Sequence, residues 1–185
     1  TARIASGRAV QPRLVRMVND QELPVVEAPV LDIPIAYLEA MRRGMHQVVN
    51  AEKGTAKSSR IVEPTMVMAG KTGTSQVRNI TAAERATGVI ANEDLPWNRR
   101  DHALFVAFAP FDAPRYAISV VVEHGGGGST VAAPIARDIL LRAMSGGLPP
   151  IEAYPSSQRG RIETMLKELP LRDPLTGLVP VRTRA

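Results

Sequence analysis

Two runs of mostly apolar residues predict neighbouring β-strands in the second half of the chain. The first is ALFVAFA at residues 103–109, and the second is YAISVVVEH at residues 116–124. The segment between them, PFDAPR, contains proline and aspartate, which favour a turn. The pattern therefore predicts a β-hairpin whose second strand is apolar enough to be buried on both faces.

Two longer segments have the spacing of apolar residues that is typical of amphipathic helices. Residues 34–50 follow Asp32, a candidate N-cap. Residues 130–144 predict a second helix, capped by Ser129 or Thr130, after a run of glycines that provides a tight turn. The apolar stripes are Ile35, Leu38, Met41, Met45, Val48 and Val49 on the first helix, and Ile135, Ile139, Leu140, Ala143 and Met144 on the second.

Three other segments have weaker patterns of apolar and polar residues. Residues 1–7 resemble the last turn of a helix that ends at Gly7. Prolines divide residues 11–30 into short extended pieces, which predict a hairpin at a sheet edge or on the surface. Residues 79–101 lack periodicity and predict a long loop with a short helix near residues 82–86.

The order of these elements indicates an α/β (α+β) fold, in which helices pack on an antiparallel sheet of three strands. The third strand is predicted at MAGKTGTSQVR, residues 68–78. We expect a packed domain over residues 1–145, followed by a proline-rich and partly disordered tail over residues 146–185. One weak helix is predicted in that tail, near residues 158–169.

Composition narrows the classes of function. The net charge of +5 would suit an anionic partner, but the arginines are scattered and only 4% of residues are aromatic, which argues against nucleic-acid binding. The chain has no cysteine, so it holds neither disulfides nor thiolate zinc sites. No run of eighteen apolar residues occurs, so no transmembrane helix is predicted within the chain.

The segment MAGKTGTSQVR allows more than one chemical interpretation. A phosphate-binding loop that ended at Gly70-Lys71-Thr72 would need another glycine five residues before Gly70, where Thr65 stands. The alternative is a strand whose glycines let a ligand backbone approach. Lys71 would then supply a cation, Thr72 and Thr74 would supply hydroxyls for a carboxylate, and the Thr74 amide could face an oxyanion. An ordinary edge strand remains the third reading.

Several segments resemble one protein family. The strand residues Lys71-Thr72-Gly73-Thr74, before a hairpin and a packed helix, resemble the third signature of the penicillin-recognising serine transpeptidases. The segments GTA, DHALFVAFAP, ISVVVEHGGGGS and APIARDILLRAM resemble the class B, elongation-specific members, of the penicillin-binding protein 2 type. The likeness runs from the first residues to about Ser145.

The resemblance implies a role for each residue of the signature. Lys71 would bridge the serine of a second motif and the substrate carboxylate. Thr72, Gly73 and Thr74 would hold the terminal carboxylate of a D-alanyl-D-alanine stem peptide or of a β-lactam. The backbone amide of Thr74 would form half of an oxyanion hole. No cofactor and no metal ion are implied.

Two other signatures of the family are absent from the chain. No serine is followed three residues later by lysine, and no asparagine is preceded two residues earlier by serine. Because the family carries both motifs upstream, we expect a C-terminal part of a serine-type D,D-transpeptidase domain, with no nucleophile and no activity by itself. The alternative is a non-catalytic relative that binds peptide or partners.

The resemblance also implies a location and partners. It implies a periplasmic domain, anchored in the inner membrane by an upstream segment, that works with a polytopic glycan polymerase on peptidoglycan. An incomplete domain would expose the apolar faces of the hairpin and of the helix at residues 34–50, so we expect the chain to self-associate. His102 and His124 show no metal-ligand spacing. Trp97 fits either a buried anchor or part of a partner surface.

Overall fold

A computed structural model describes residues 1–168 of the protein. In chain order the helices and strands are α1 (Ala2–Ser6), β1 (Met17–Val18), β2 (Gln21–Glu22), α2 (Ile35–Asn50), β3 (Ala69–Ser75), α3 (Ala82–Thr87), β4 (His102–Ala109), β5 (Tyr116–Val122), α4 (Ala133–Ser145) and α5 (Arg159–Glu168). The main sheet has three antiparallel strands in the order β3-β4-β5. This confirms the predicted α/β class and the predicted third strand.

The central strand β4 is the most buried part of the sheet. Its residues that face α4 are fully buried, namely Ala103, Phe105, Ala107 and Ala109. β5 is an edge strand whose residues alternate between half-buried and exposed, with Val121 59% exposed. The expectation that this strand is buried on both faces is therefore wrong, because only one of its faces has a covering layer in the part of the chain that the structure describes.

Helix α4 packs on the sheet through a different stripe from the predicted one. Its buried residues are Ala133, Ala136, Arg137, Leu140 and Leu141, whereas Ile135 and Ile139 are 40% and 51% exposed. The small alanines let the helix backbone approach the sheet closely, and this turns the isoleucines outward. A single π-helical turn, Gly128–Ala132, precedes α4, so neither Ser129 nor Thr130 caps it.

Helix α2 is amphipathic as predicted, but only a narrow stripe of it is buried. Leu38, Met45 and Val49 are buried, whereas Ile35 is 66% exposed and Met41 is 50% exposed. The helix begins at Ile35 after Pro34 and has no side-chain cap, so Asp32 is not its N-cap. Ile35 and Met41 therefore stay exposed among the residues that the structure describes.

The N-terminal segment forms a smaller hairpin than the sequence suggested. β1 pairs with β2 alone, and Asn19 and Asp20 form the turn with φ of 49° and 60°. Residues 24–30 form no strand. Helix α1 does end at Gly7, which adopts the left-handed conformation with φ of 67°. The short helix in the loop before β4 is also present, as α3.

The segment after α4 packs against the core as far as the structure describes it. Tyr154 and Ile162 are 2% and 1% exposed and belong to the main hydrophobic cluster. The weak helix predicted at residues 158–169 is present as α5. The mobile tail predicted beyond it lies outside the described residues, and the division at residues 145 and 146 stays a prediction. Within residues 1–168, no helix has the length and apolar content needed to cross a membrane.

Candidate functional site

The predicted signature lies on an edge strand. β3 pairs with β4 along one side, with Lys71 opposite Val106 and Thr74 opposite Ala103. Among the described residues no strand pairs with its other side. The first two residues of β3 are buried, and the following five, Lys71 to Ser75, are exposed or half-buried. An extended peptide could therefore add along the second part of the strand but not along its beginning.

The two threonines of the signature share one face of the strand. Successive side chains of a strand point to opposite faces, so Thr72 and Thr74 lie together, and Lys71 and Gly73 lie on the other face. The ammonium group of Lys71 donates a hydrogen bond of 2.7 Å to the carbonyl oxygen of Thr72. The cation therefore lies close to the backbone of the strand, where it can contribute positive charge to an anion bound along this edge.

A third hydroxyl, that of Thr55, joins this group and was not predicted as a site residue. The Oγ1 atom of Thr55 lies 3.3 Å from the Oγ1 atom of Thr72, within hydrogen-bonding distance. Thr55 is held in the loop after α2 because Gly54 turns tightly there. A Cβ atom at Gly54 would lie 2.6 Å from the carbonyl oxygens of Gln47 and Val48. The resemblance of the segment GTA to the family does not predict this contact, because the loop reaches β3 only through tertiary contacts.

The glycines of β3 have a packing role that was not predicted from the sequence. A Cβ atom at Gly70 would collide with the ring of Phe105, and one at Gly73 would lie 3.2 Å from Cβ of Leu104. Both missing side chains therefore make room for β4, and the approach of a ligand backbone at these glycines stays a prediction. Gly128 is also more than a flexible turn: a Cβ atom there would collide with the backbone of Gly73 and Leu104. The glycine-rich loop thus lies directly against the signature strand.

The strand geometry agrees with the rejection of a phosphate loop. A phosphate loop needs a helix immediately after the lysine, so that backbone amides converge on the phosphates. Here β3 continues through Ser75, and the next helix begins at Ala82.

The remaining candidate residues have structural partners. The backbone amide of His124 donates to Nδ1 of His102 at 2.9 Å, and the ring of Trp97 lies 4.3 Å from the ring of His124. Trp97 is 62% exposed, which contradicts a buried anchor. The carboxylate of Asp101 accepts a hydrogen bond from the amide of Val77. Within residues 1–168, no cluster of three or more histidine, aspartate or glutamate side chains could hold a metal ion.

The pKa shifts lie away from the signature. The backbone amide of Thr81 and the guanidinium of Arg78 lower the pKa of Glu84, which caps α3. A hydrogen bond from Lys57 lowers the pKa of Glu52 in the loop that carries Thr55. Burial raises the pKa of Tyr154 to about 12. These shifts belong to structural contacts, and the signature itself supplies hydroxyls and a cation.

Comparison with known sequences identifies the family of this fold. The family model described as "Penicillin binding protein transpeptidase domain" matches residues 1–141. The peptidoglycan D,D-transpeptidase MrdA of Haemophilus influenzae is 35% identical over 83% of this chain and 24% of its own length. The enzyme of the same name from Escherichia coli K12 is 38% identical over 65% of this chain and 18% of its length. The chain thus spans a quarter or less of these curated relatives.

Solved structures show the same likeness. The penicillin-binding protein 2 of Helicobacter pylori, solved in complex with MreC, has a TM-score of 0.59 and 30% identity over 80% of this chain and 24% of that one. The penicillin-binding protein 2 of Pseudomonas aeruginosa, in complex with WCK 5153, has a TM-score of 0.56 and 31% identity over 84% of this chain and 32% of that one. The chain belongs to the family of penicillin-binding protein transpeptidase domains.

Proposed function

We propose that this chain supplies the carboxylate-binding strand of a peptidoglycan D,D-transpeptidase. The observation that carries the proposal is the edge of β3, where Thr72 and Thr74 share one face and the ammonium group of Lys71 bonds to the carbonyl oxygen of Thr72. The curated relatives named above are peptidoglycan D,D-transpeptidases, which supports this reaction over other chemistry of the fold.

The exposed part of β3 would hold the end of the substrate peptide. Hydroxyls donate to carboxylate oxygens, and a nearby ammonium strengthens the interaction, so Lys71, Thr72 and Thr74 together suit a C-terminal carboxylate. The peptide backbone would extend alongside the unpaired edge, past Gly73 and towards Ser75. The amide of Thr74 would face the oxygen of the scissile carbonyl, where negative charge develops in the transition state.

The reaction itself would need a serine that this sequence does not provide in a recognisable motif. That serine's oxygen would attack the penultimate D-alanine carbonyl, an ester would form, the peptide bond would break, and D-alanine would leave with a proton. An amine of a neighbouring stem peptide would then attack the ester, form the new amide and restore the serine. A β-lactam would place its carboxylate on the same hydroxyls and acylate the same serine.

The location and partners follow from the same proposal. A protein that cross-links peptidoglycan works in the periplasm, and we place its membrane anchor and its serine motif in parts of the protein outside these residues. We propose a polytopic glycan polymerase of the elongation machinery as a partner, because cross-linking uses newly made glycan strands. The related Helicobacter pylori protein forms a complex with MreC, which supports work within an assembly.

Covalent labelling with a fluorescent penicillin tests the proposal. The full-length protein should form an adduct on a serine that is followed three residues later by lysine, and the 185-residue chain should form none. A stable adduct on the 185-residue chain would show that the nucleophile has been misassigned. A full-length protein that binds D-alanyl-D-alanine peptide but never forms an adduct would favour the non-catalytic alternative.

A further inference from the structure

The loop that carries Thr55 is tied to a segment beyond the family match, which ends at residue 141. Gln158 lies in the turn before α5, and its amide nitrogen donates a hydrogen bond of 2.6 Å to the carbonyl oxygen of Ser58. Ser58 follows Thr55 by three residues. A second link lies further along, where the amide of Val62 donates to the carbonyl of Ala153 at 2.8 Å.

Arg137 of α4 holds the other end of the Gln158 side chain. Its Nη1 atom donates to Oε1 of Gln158 at 2.7 Å, and its Nε atom donates to Asp138 at 2.8 Å. Arg137 is only 2% exposed, and its guanidinium carbon lies 4.8 Å from the ring centroid of Tyr154. A guanidinium with so many partners keeps one orientation. It therefore fixes the oxygen of Gln158 and directs the amide nitrogen towards Ser58.

The loop is held at both ends around Thr55. At the α2 end, the amide of Ala56 donates to the carbonyl of Val48 at 2.9 Å. At the other end, Gln158 holds Ser58. Thr55 lies next to the first of these contacts, and its hydroxyl meets that of Thr72. Because the loop is short, a shift of Ser58 would move Thr55 away from Thr72 and leave the hydroxyl of Thr72 free to rotate.

We propose that Gln158 is a positioning residue for the carboxylate site, which acts through Ser58 and Thr55 on the hydroxyl of Thr72. The inference rests on the proposed function. Gln158 touches neither the substrate nor the serine nucleophile of that function. Its loss should therefore weaken the binding of a carboxylate-bearing ligand and leave the limiting rate of the acylation step unchanged.

The test compares two substitutions of Gln158 in the full-length protein. Gln158→Glu keeps an acceptor for Arg137 but cannot donate to Ser58, so it removes the positioning contact and preserves the anchor. Gln158→Ala removes both contacts. Ser157→Ala is the matched control, because Ser157 lies on the same turn and its side chain is exposed. The readouts are the melting temperature and the acylation rate as a function of penicillin concentration.

For Gln158→Glu we expect a smaller fall in melting temperature than for Gln158→Ala, because the acceptor for Arg137 is kept. The penicillin concentration that gives half the limiting rate should rise about threefold to tenfold, the effect of losing one hydrogen bond. The limiting rate should stay the same, and Ser157→Ala should match the wild type. Unchanged saturation in Gln158→Glu would overturn the proposal, and so would a fall in its limiting rate together with its melting temperature.

A wild-type protein that forms no adduct would refute the proposed function but would still leave this inference testable. In the 185-residue chain, the methyl resonances of Thr55 and Thr72 report on their contact. Gln158→Glu should shift both resonances, and Ser157→Ala should shift neither. Identical resonances in Gln158→Glu and the wild type would overturn the link between the C-terminal segment and the site.

Discussion

The α4 side of the sheet and the segment that leads into α2 contain similar apolar sequences but differ completely in burial. On the α4 side, Phe105 is fully buried and Leu140 is 2% exposed. In the other region, Val25 and Val26 are 83% and 84% exposed, and Ile35 is 66% exposed. Apolar residues become core only where their partner is present, and the second region lacks a partner among residues 1–168.

This difference in burial predicts which substitutions should change the stability of the fold and which should change binding. The packed side holds the sheet, the four-glycine loop and the C-terminal segment together, and thereby fixes β3. We expect the exposed apolar residues of the second region to form an interface, because exposed apolar residues that lie together mark sites of contact. Substitutions on the packed side should therefore change folding, whereas those in the second region should change association.

Removal of the Phe105 side chain should have the largest effect. Phe105→Ala leaves a cavity between β4 and α4 and should lower the free energy of unfolding by roughly 3–5 kcal/mol. Val121→Ala is the control on the neighbouring strand, where the side chain is 59% exposed. Urea unfolding measures both. Similar losses of stability for the two variants would contradict the difference in burial between Phe105 and Val121.

Gly128→Ala should have the next largest effect. The new methyl group would push the glycine-rich loop away from Gly73 and Leu104, at a cost of about 1–3 kcal/mol. Gly44→Ala is the matched control, because nothing lies within 4 Å of a Cβ atom there. It lies inside α2 and should stabilise the chain by about 0.5–1 kcal/mol. Equal effects of the two substitutions on unfolding would contradict the close contact at Gly128.

Tyr154 should give the packed side a characteristic dependence on pH. Burial raises the pKa of Tyr154 to about 12, above its value of 10 in an unfolded chain. Its stabilising contribution is thus complete below pH 10 and is lost as the pH rises towards 12, by about 1 kcal/mol at pH 11. Tyr154→Phe should reduce the fall in stability between pH 9 and pH 11, as measured by urea unfolding. Tyr37→Phe, at a tyrosine that is 66% exposed, should leave that fall unchanged; an equal reduction would refute the assignment.

Substitutions of exposed apolar residues in the first half of α2 should have the smallest effect on folding. Ile35→Glu and Met41→Glu change exposed side chains of α2, so the free energy of unfolding should change by no more than about 0.5 kcal/mol. Both should reduce self-association of the 185-residue chain, as measured by light scattering across a concentration series. A wild-type chain that stays monomeric at every concentration would show that these exposed residues do not associate.

The sequence predicted the elements well because their periodicity and turn residues are local. The strands at residues 103–109 and 116–124 and the helix at residues 34–50 lie close to the observed β4, β5 and α2. Which face each element buries was harder to predict. Ile135 and Ile139 suit a core stripe by composition, but the closely packed alanines bury a stripe of α4 that is shifted by about one residue from the predicted one.

The residues of the candidate site also differ in how well the sequence predicts them. The signature Lys71 to Thr74 could be recognised because its residues are consecutive in the chain. Thr55 and Gln158 could not, because their relation to Thr72 depends on contacts between distant segments. The packing role of the glycines could not be predicted for a similar reason: the neighbours that require Gly70 and Gly128 are on β4 and β3, which only the folded sheet brings together.

The proposed carboxylate site lies on the unpaired edge of β3, and the rate of acylation by penicillin tests it most directly. The second-order rate of acylation by penicillin should be determined for the full-length protein, for Thr72→Val and for Thr164→Val, a control whose hydroxyl bonds within α5. Loss of a hydrogen bond to a charged group predicts a fall of at least about tenfold in Thr72→Val and no change in the control. A wild-type rate in Thr72→Val would contradict the account.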